Sequence, residues 1–133
     1  MATLDDIRAI AAGLPGSEER AMTGGAAWFV RGKIYAWECH PWPSISADMR
    51  EIITAELVAG VKVADRFDAL ALVEMTPAVF LRETTRWGEP KVAFRMAGID
   101  GEHLVELVTD AWRTQAPKYL RREFDEREAS APA

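Results

Sequence analysis

Leu104, Leu107, Val108, Ala111 and Trp112 recur at helical spacing, which puts all five on one stripe of an α-helix. A helix of this length gains most of its stability by burying such a stripe against another layer. This segment therefore constrains the fold more than any other. Asp100 or Gly101 starts it, and Pro117 separates it from a shorter segment with Tyr119, Leu120 and Phe124. From Glu123 onward the chain is polar and rich in small residues, which predicts a frayed end.

The layer beneath that helix is expected to be a β-sheet. Ala26 to Arg31 and Lys33 to Cys39 are rich in aromatic and β-branched residues, the composition of strands. Gly32 lies between them at a hairpin turn. With Arg31-Gly32 as the turn, Val30 opposes Lys33 and Trp28 opposes Tyr35. Opposed residues share a face, so strict alternation puts Trp28, Val30, Tyr35 and Trp37 on one side. Ala27, Phe29, Ile34 and Ala36 fall on the other. Lys91 to Met96 reads as another strand, with Val92, Phe94 and Met96 on one side. Val61 to Ala64 reads as a third.

Several helices complete the pattern. Thr3-Leu4-Asp5-Asp6 is close to a capping box and opens a helix over 4–13, which Pro15-Gly16 stops. Ser46 caps a helix carrying Met49, Ile52, Ile53 and Leu57, ended by Gly60. Asp68 caps a short helix from Ala69 to Met75, and Thr76-Pro77 starts a further turn. With 133 residues, 49% of them hydrophobic, the chain is the size of one domain with a sizeable core. The expectation is a single α+β domain over 1–126, with a frayed polar tail over 127–133.

Chemistry is sparsely represented. Cys39 is the one cysteine, so no internal disulfide forms, as suits a reducing compartment. The first residues lack a basic stretch followed by an apolar run. No apolar run approaches the roughly 18 residues of a membrane span. A cytoplasmic location and no membrane partner are expected. Cys39 and His40 are adjacent, so in a strand they point to opposite faces and make a poor catalytic pair. No Gly-x-Ser-x-Gly elbow is present. Gly24-Gly25 lacks the spacing of a phosphate loop. Two histidines and one cysteine fall short of an ordinary zinc site. The reading is a non-enzyme with no cofactor and no metal.

Binding surfaces are better represented. The net charge of −5 disfavours a broadly basic nucleic-acid binder, so any such contact must be local. Lys91 and Arg95 share one side of their strand, with Arg82 and Arg86 shortly before it. Arg113, Lys118, Arg121 and Arg122 lie in a window free of acidic residues, from Ala111 to Arg122. Lys91, Arg95, Lys118, Arg121 and Arg122 are the candidate phosphate contacts. Four or five of them on one duplex would give a log–log salt slope of roughly −4. The alternative is a protein partner at an aromatic sheet face, with Trp28, Tyr35 and Trp37 as candidates. Helices covering that face would instead leave the opposite, also apolar, face as the platform.

Taken in order, several segments resemble the MmcQ/YjbR-like proteins. They are Leu14-Pro15-Gly16 with Glu18-Glu19, Trp28 to Trp37 around Arg31-Gly32-Lys33, and Thr76-Pro77 to Phe80. Ile99-Asp100, Leu104 to Leu107, Ala111-Trp112-Arg113 and Ala116-Pro117-Lys118 follow. The resemblance spans about 4–124. It implies a CyaY-like α+β fold, an antiparallel sheet with helices on one face, similar to double-wing DNA-binding domains. It implies a DNA-binding role and brings no catalytic residues, and the reading adopted is a non-enzymatic DNA-binding or regulatory module. Trp87-Gly88 stands where it implies an aromatic-glycine turn, in 82–90. The acidic first-helix ridge of frataxin-like metal binders is missing, which leaves a small-ligand or metal-binding role as a third possibility.

Overall fold

The computed structural model describes residues 2–22, 25–41, 46–81 and 90–130. In chain order the elements are α1 (Leu4–Ala12), β1 (Ser17–Met22), β2 (Gly25–Val30), β3 (Lys33–Glu38), α2 (Ala47–Ala55), β4 (Val58–Lys62), α3 (Arg66–Met75), β5 (Phe80–Leu81), β6 (Lys91–Arg95), a 3-10 turn (Met96–Gly98), α4 (Gly101–Gln115) and α5 (Lys118–Ser130). The strands form one antiparallel sheet in the order β1-β2-β3-β4-β6-β5. This is the two-layer α+β architecture expected.

α4 lies on the sheet with its predicted stripe inward. Leu104, Leu107, Val108, Ala111 and Trp112 are buried among Trp28, Val30, Tyr35, Val61, Val92, Phe94 and Met96. Two hydrogen bonds fix its seating. The Trp112 indole N–H donates to the Pro15 carbonyl at 3.0 Å, and the Gln115 amide donates to the Ile34 carbonyl at 2.9 Å. α1 adds Ile7 and Ala11 to this core, and α5 adds Leu120. α2 lies across the sheet from them. Its Ile53 packs on Val58, Leu81 and Ala93, which alternate along their strands with Ala59, Phe80 and Phe94 of the main core.

Local readings fare unevenly. Arg31 and Gly32 both have positive φ, 51° and 81°, the signature of a two-residue hairpin turn with the strands' own twist. Ser46 caps α2 by accepting from the Met49 N–H, and the Asp6 carboxylate accepts from the Thr3 N–H at 2.8 Å. α3 is capped by Asp65 and not Asp68. Gly60 sits inside β4 and ends no helix. β1 escapes the sequence pattern altogether, because five of its six residues are exposed and no alternation marks it. It is held by its ladder to β2 and by Arg8 of α1, which donates to Glu19 at 2.7 and 3.0 Å.

The expected frayed tail from 127 is corrected: α5 runs unbroken through Ser130. Its inner side is anchored by Leu120 and Phe124, and the Phe124 ring lies 5.3 Å from Trp112. Gly24, most of the expected loop after His40, the turn expected in 82–90 (apart from Pro90) and residues 131–133 lie outside the described residues.

Candidate functional site

The hairpin carries one irregularity that decides what each face presents. Phe29 opposes Ile34, but Trp28 opposes Ala36. β3 therefore holds one extra residue, Tyr35, as a β-bulge. Beyond the bulge the alternation of β3 is inverted. Tyr35 and Ala36 both enter the helix-covered core, and Trp37 emerges on the other side of the sheet with Ile34, Phe29 and Ala27. This corrects the expected aromatic surface. Trp28 and Tyr35 are buried, their relative exposures 1% and 0%, and only Trp37 faces outward.

The buried pair is satisfied from within. The Trp28 indole N–H donates to Glu19 at 3.1 Å. The Tyr35 hydroxyl and Ser17 Oγ are hydrogen-bonded at 2.5 Å. Burial pushes the Tyr35 phenol up to about 12, with the Ser17 bond pulling the other way. The hydrogen bonds and charge of Arg8 hold Glu19 below the usual carboxylate range, against the opposing effect of burial.

On the other face, Trp37 lies directly opposite Gly60. A Cβ at Gly60 would overlap the indole ring, so glycine is what lets the ring lie down on β4. The next outward positions are Lys62 of β4 and Lys91 of β6, which are direct partners. Their ammonium groups stand 5.9 and 5.8 Å from the indole centroid, within cation–π range. Trp37 and the two lysines line a cleft of about 220 Å³ with Met22, Ala26, Ala27 and Ile34 as its apolar wall. Glu38 stands in the same cleft, its carboxylate accepting from the Ala26 N–H at 3.2 Å. Toward the β1 edge, the Arg20 guanidinium covers Phe29 at 4.6 Å and pairs with Glu18 at 2.9 Å.

The basic residues expected to act together do not form one surface. Lys91 and Arg95 alternate with Val92 and Phe94 of the main core, so they face away from the helix layer. Arg95 is engaged by Glu56 at 3.1 Å. Lys118, Arg121 and Arg122 line a hollow on α5 with Asp125 and Glu126, in the helix layer. The sheet stands between the two groups, so a single duplex cannot lie on all five. Lys62 falls on the strand read over Val61 to Ala64, but nothing in the sequence singles it out, because the strand's partner is not legible there. Only the pairing of β4 with β6 puts Lys62 beside Lys91.

The remaining chemistry is scattered. Cys39 packs beside Ile53 under α2, while His103 meets Phe80 edge-on at 5.4 Å on the helix side. A groove of about 520 Å³ between α3 and α4 is lined by Asp68, Glu106 and Asp110 around Leu72 and Leu107. Burial raises the Asp110 carboxyl; Arg113 lowers it, and Glu106 and Asp68 add to the rise. Among the described residues no three His, Cys, Asp or Glu side chains are grouped to hold a metal ion, and no helix is long and apolar enough to cross a membrane.

No family model matches the chain. It is 35% identical over 130 residues to the uncharacterized protein Rv2570 of Mycobacterium tuberculosis, covering 93% of this chain and 96% of that protein. The same figures hold for the uncharacterized protein Mb2600 of Mycobacterium bovis. Among solved structures, the crystal structure of Deinococcus radiodurans protein DR2400, a DUF419 domain, superposes with a TM-score of 0.65. That match covers 94% of this chain and 89% of the other at 21% identity, which establishes a shared fold.

Proposed function

The chain belongs to the family of the mycobacterial proteins Rv2570 and Mb2600, and from that premise we propose that it is a non-enzymatic nucleic-acid-binding module of the MmcQ/YjbR-like kind, working through the uncovered face of its sheet. One observation carries the reading: the Trp37 ring laid over Gly60 with two lysine ammoniums beside it. An aromatic platform next to positive charge is the combination by which sheet proteins hold nucleic acid. The DUF419 fold of the DR2400 structure is consistent with the MmcQ/YjbR resemblance of the sequence.

The acidic body limits the contact. With a net charge of −5, only a local patch attracts phosphate, so binding is weak and salt-sensitive. Titration of labelled short oligonucleotides, single-stranded and duplex, at several salt concentrations tests the reading. Affinity for either that falls as salt rises supports it. No binding of either at low salt, or binding indifferent to salt, overturns it. The apolar wall of Met22, Ala26, Ala27 and Ile34 then favours the second reading, a protein-interaction surface on the same face.

A further inference from the structure

We propose that the cleft beside Trp37 is a base-sized slot, so that the nucleic acid bound is single-stranded and one base stacks on the indole while its neighbouring phosphates meet Lys62 and Lys91. The inference rests on the nucleic-acid reading and adds the form of the ligand.

Three features of the site support it. The first is size. At about 220 Å³ the cleft is smaller than the roughly 300 Å³ at which pockets for whole small molecules begin. It suits one planar group of a longer chain whose remainder stays in solvent. The second is shape. The slot has one indole as its aromatic surface and the apolar side chains of Ala27 and Ile34 as its wall. A base inside a duplex is stacked on both sides and cannot enter it, whereas an unpaired base can. The third is charge. Lys62 and Lys91 are directly opposed across β4 and β6, so their positive charge is concentrated in one place. That addresses one short run of backbone and does not match the two separated phosphate tracks of a duplex. Glu38, held by the Ala26 N–H within the same cleft, offsets part of that positive charge, so the phosphate contact is confined to the two lysine ammoniums.

The experiment compares three probes on the intact chain: a short mixed-sequence single strand, the same strand in a duplex, and the same strand carrying abasic sites. The single strand should bind best. Loss of stacking should weaken the abasic strand by at least about fivefold. Trp37→Leu should remove that difference and Trp37→Phe should keep most of it, with circular dichroism confirming the fold. The Lys62→Ala/Lys91→Ala double variant serves as a second test that leaves the ring in place. It should flatten the log–log salt slope by about 1.4, two single-strand phosphate contacts' worth. A duplex that binds as well as the single strand, or an abasic strand that binds as well as the intact one, overturns the slot and leaves the broader reading standing. Failure of every probe to bind at low salt overturns both.

Discussion

Trp112 and Trp37 sit on opposite sides of one sheet. Trp112 is fully buried, its N–H spent on the Pro15 carbonyl and its ring against Phe124. Trp37 lies flat on β4, partly exposed and flanked by cations. The covered face is built for stability, because each large side chain is enclosed and each polar atom on its aromatic residues has a partner. The other face has a small apolar core only where α2 reaches it. The rest carries Phe29, Trp37, Arg20, Lys62 and Lys91. The contrast teaches that an aromatic residue in a strand says little until its neighbours' sizes and charges are known.

Substitutions on the two faces should therefore differ in kind, and the largest loss should come from the covered one. Trp112→Ala removes the centre of the core and should cost about 3–5 kcal/mol in urea denaturation. A loss under about 1 kcal/mol would mean that α4 is not seated on the sheet as described.

Alkali probes the same face without a mutation in its centre. Tyr35 has its folded pKa raised to about 12 from an ordinary value of about 10. The stabilisation this represents is complete below pH of about 10. It is lost as pH rises through the folded value of about 12, because the unfolded phenol ionises first. Two pH units correspond to about 2–3 kcal/mol. Tyr35→Phe should abolish that part of the alkaline loss. It should cost about 0.5–1.5 kcal/mol at neutral pH by stranding Ser17. Equal alkaline sensitivity in both proteins would place Tyr35 outside the core.

The uncovered face should yield less. Gly60→Ala forces the Trp37 ring off β4, an overpacking change of about 1–3 kcal/mol. It should also change the tryptophan emission, since the ring leaves its two lysines. An unchanged spectrum would show that the ring does not lie on Gly60.

Smallest of all is Arg20→Ala. It removes an exposed cation–π contact and a surface ion pair with Glu18, together worth no more than about 1 kcal/mol. A thermal melt that falls as far as that of Trp112→Ala would erase the distinction between the two faces.

The α4 stripe, the Arg31-Gly32 turn, the Ser46 cap and the inward row Val92, Phe94, Met96 were all legible in the sequence. Each depends on a local rule: helical period, positive φ, side-chain capping or strand alternation. The composition of the binding face was not legible, because it depends on events elsewhere in the chain. One bulged residue, Tyr35, inverts everything after it on β3, since side chains alternate with a period of two. No residue type announces that insertion. Gly60 obeys the local rule for ending a helix, yet it lies in a strand paired on both sides, where its missing side chain makes room for the Trp37 ring. Lys62 meets Lys91 only through the β4–β6 register, which neither segment encodes alone. The sequence by itself determined the presence of α1 to α4 and the Arg31-Gly32 reversal, through spacing and capping along the chain. Tertiary structure alone decided which aromatic residue faces solvent and which cations surround it, because strand pairing and packing relate residues far apart in the chain.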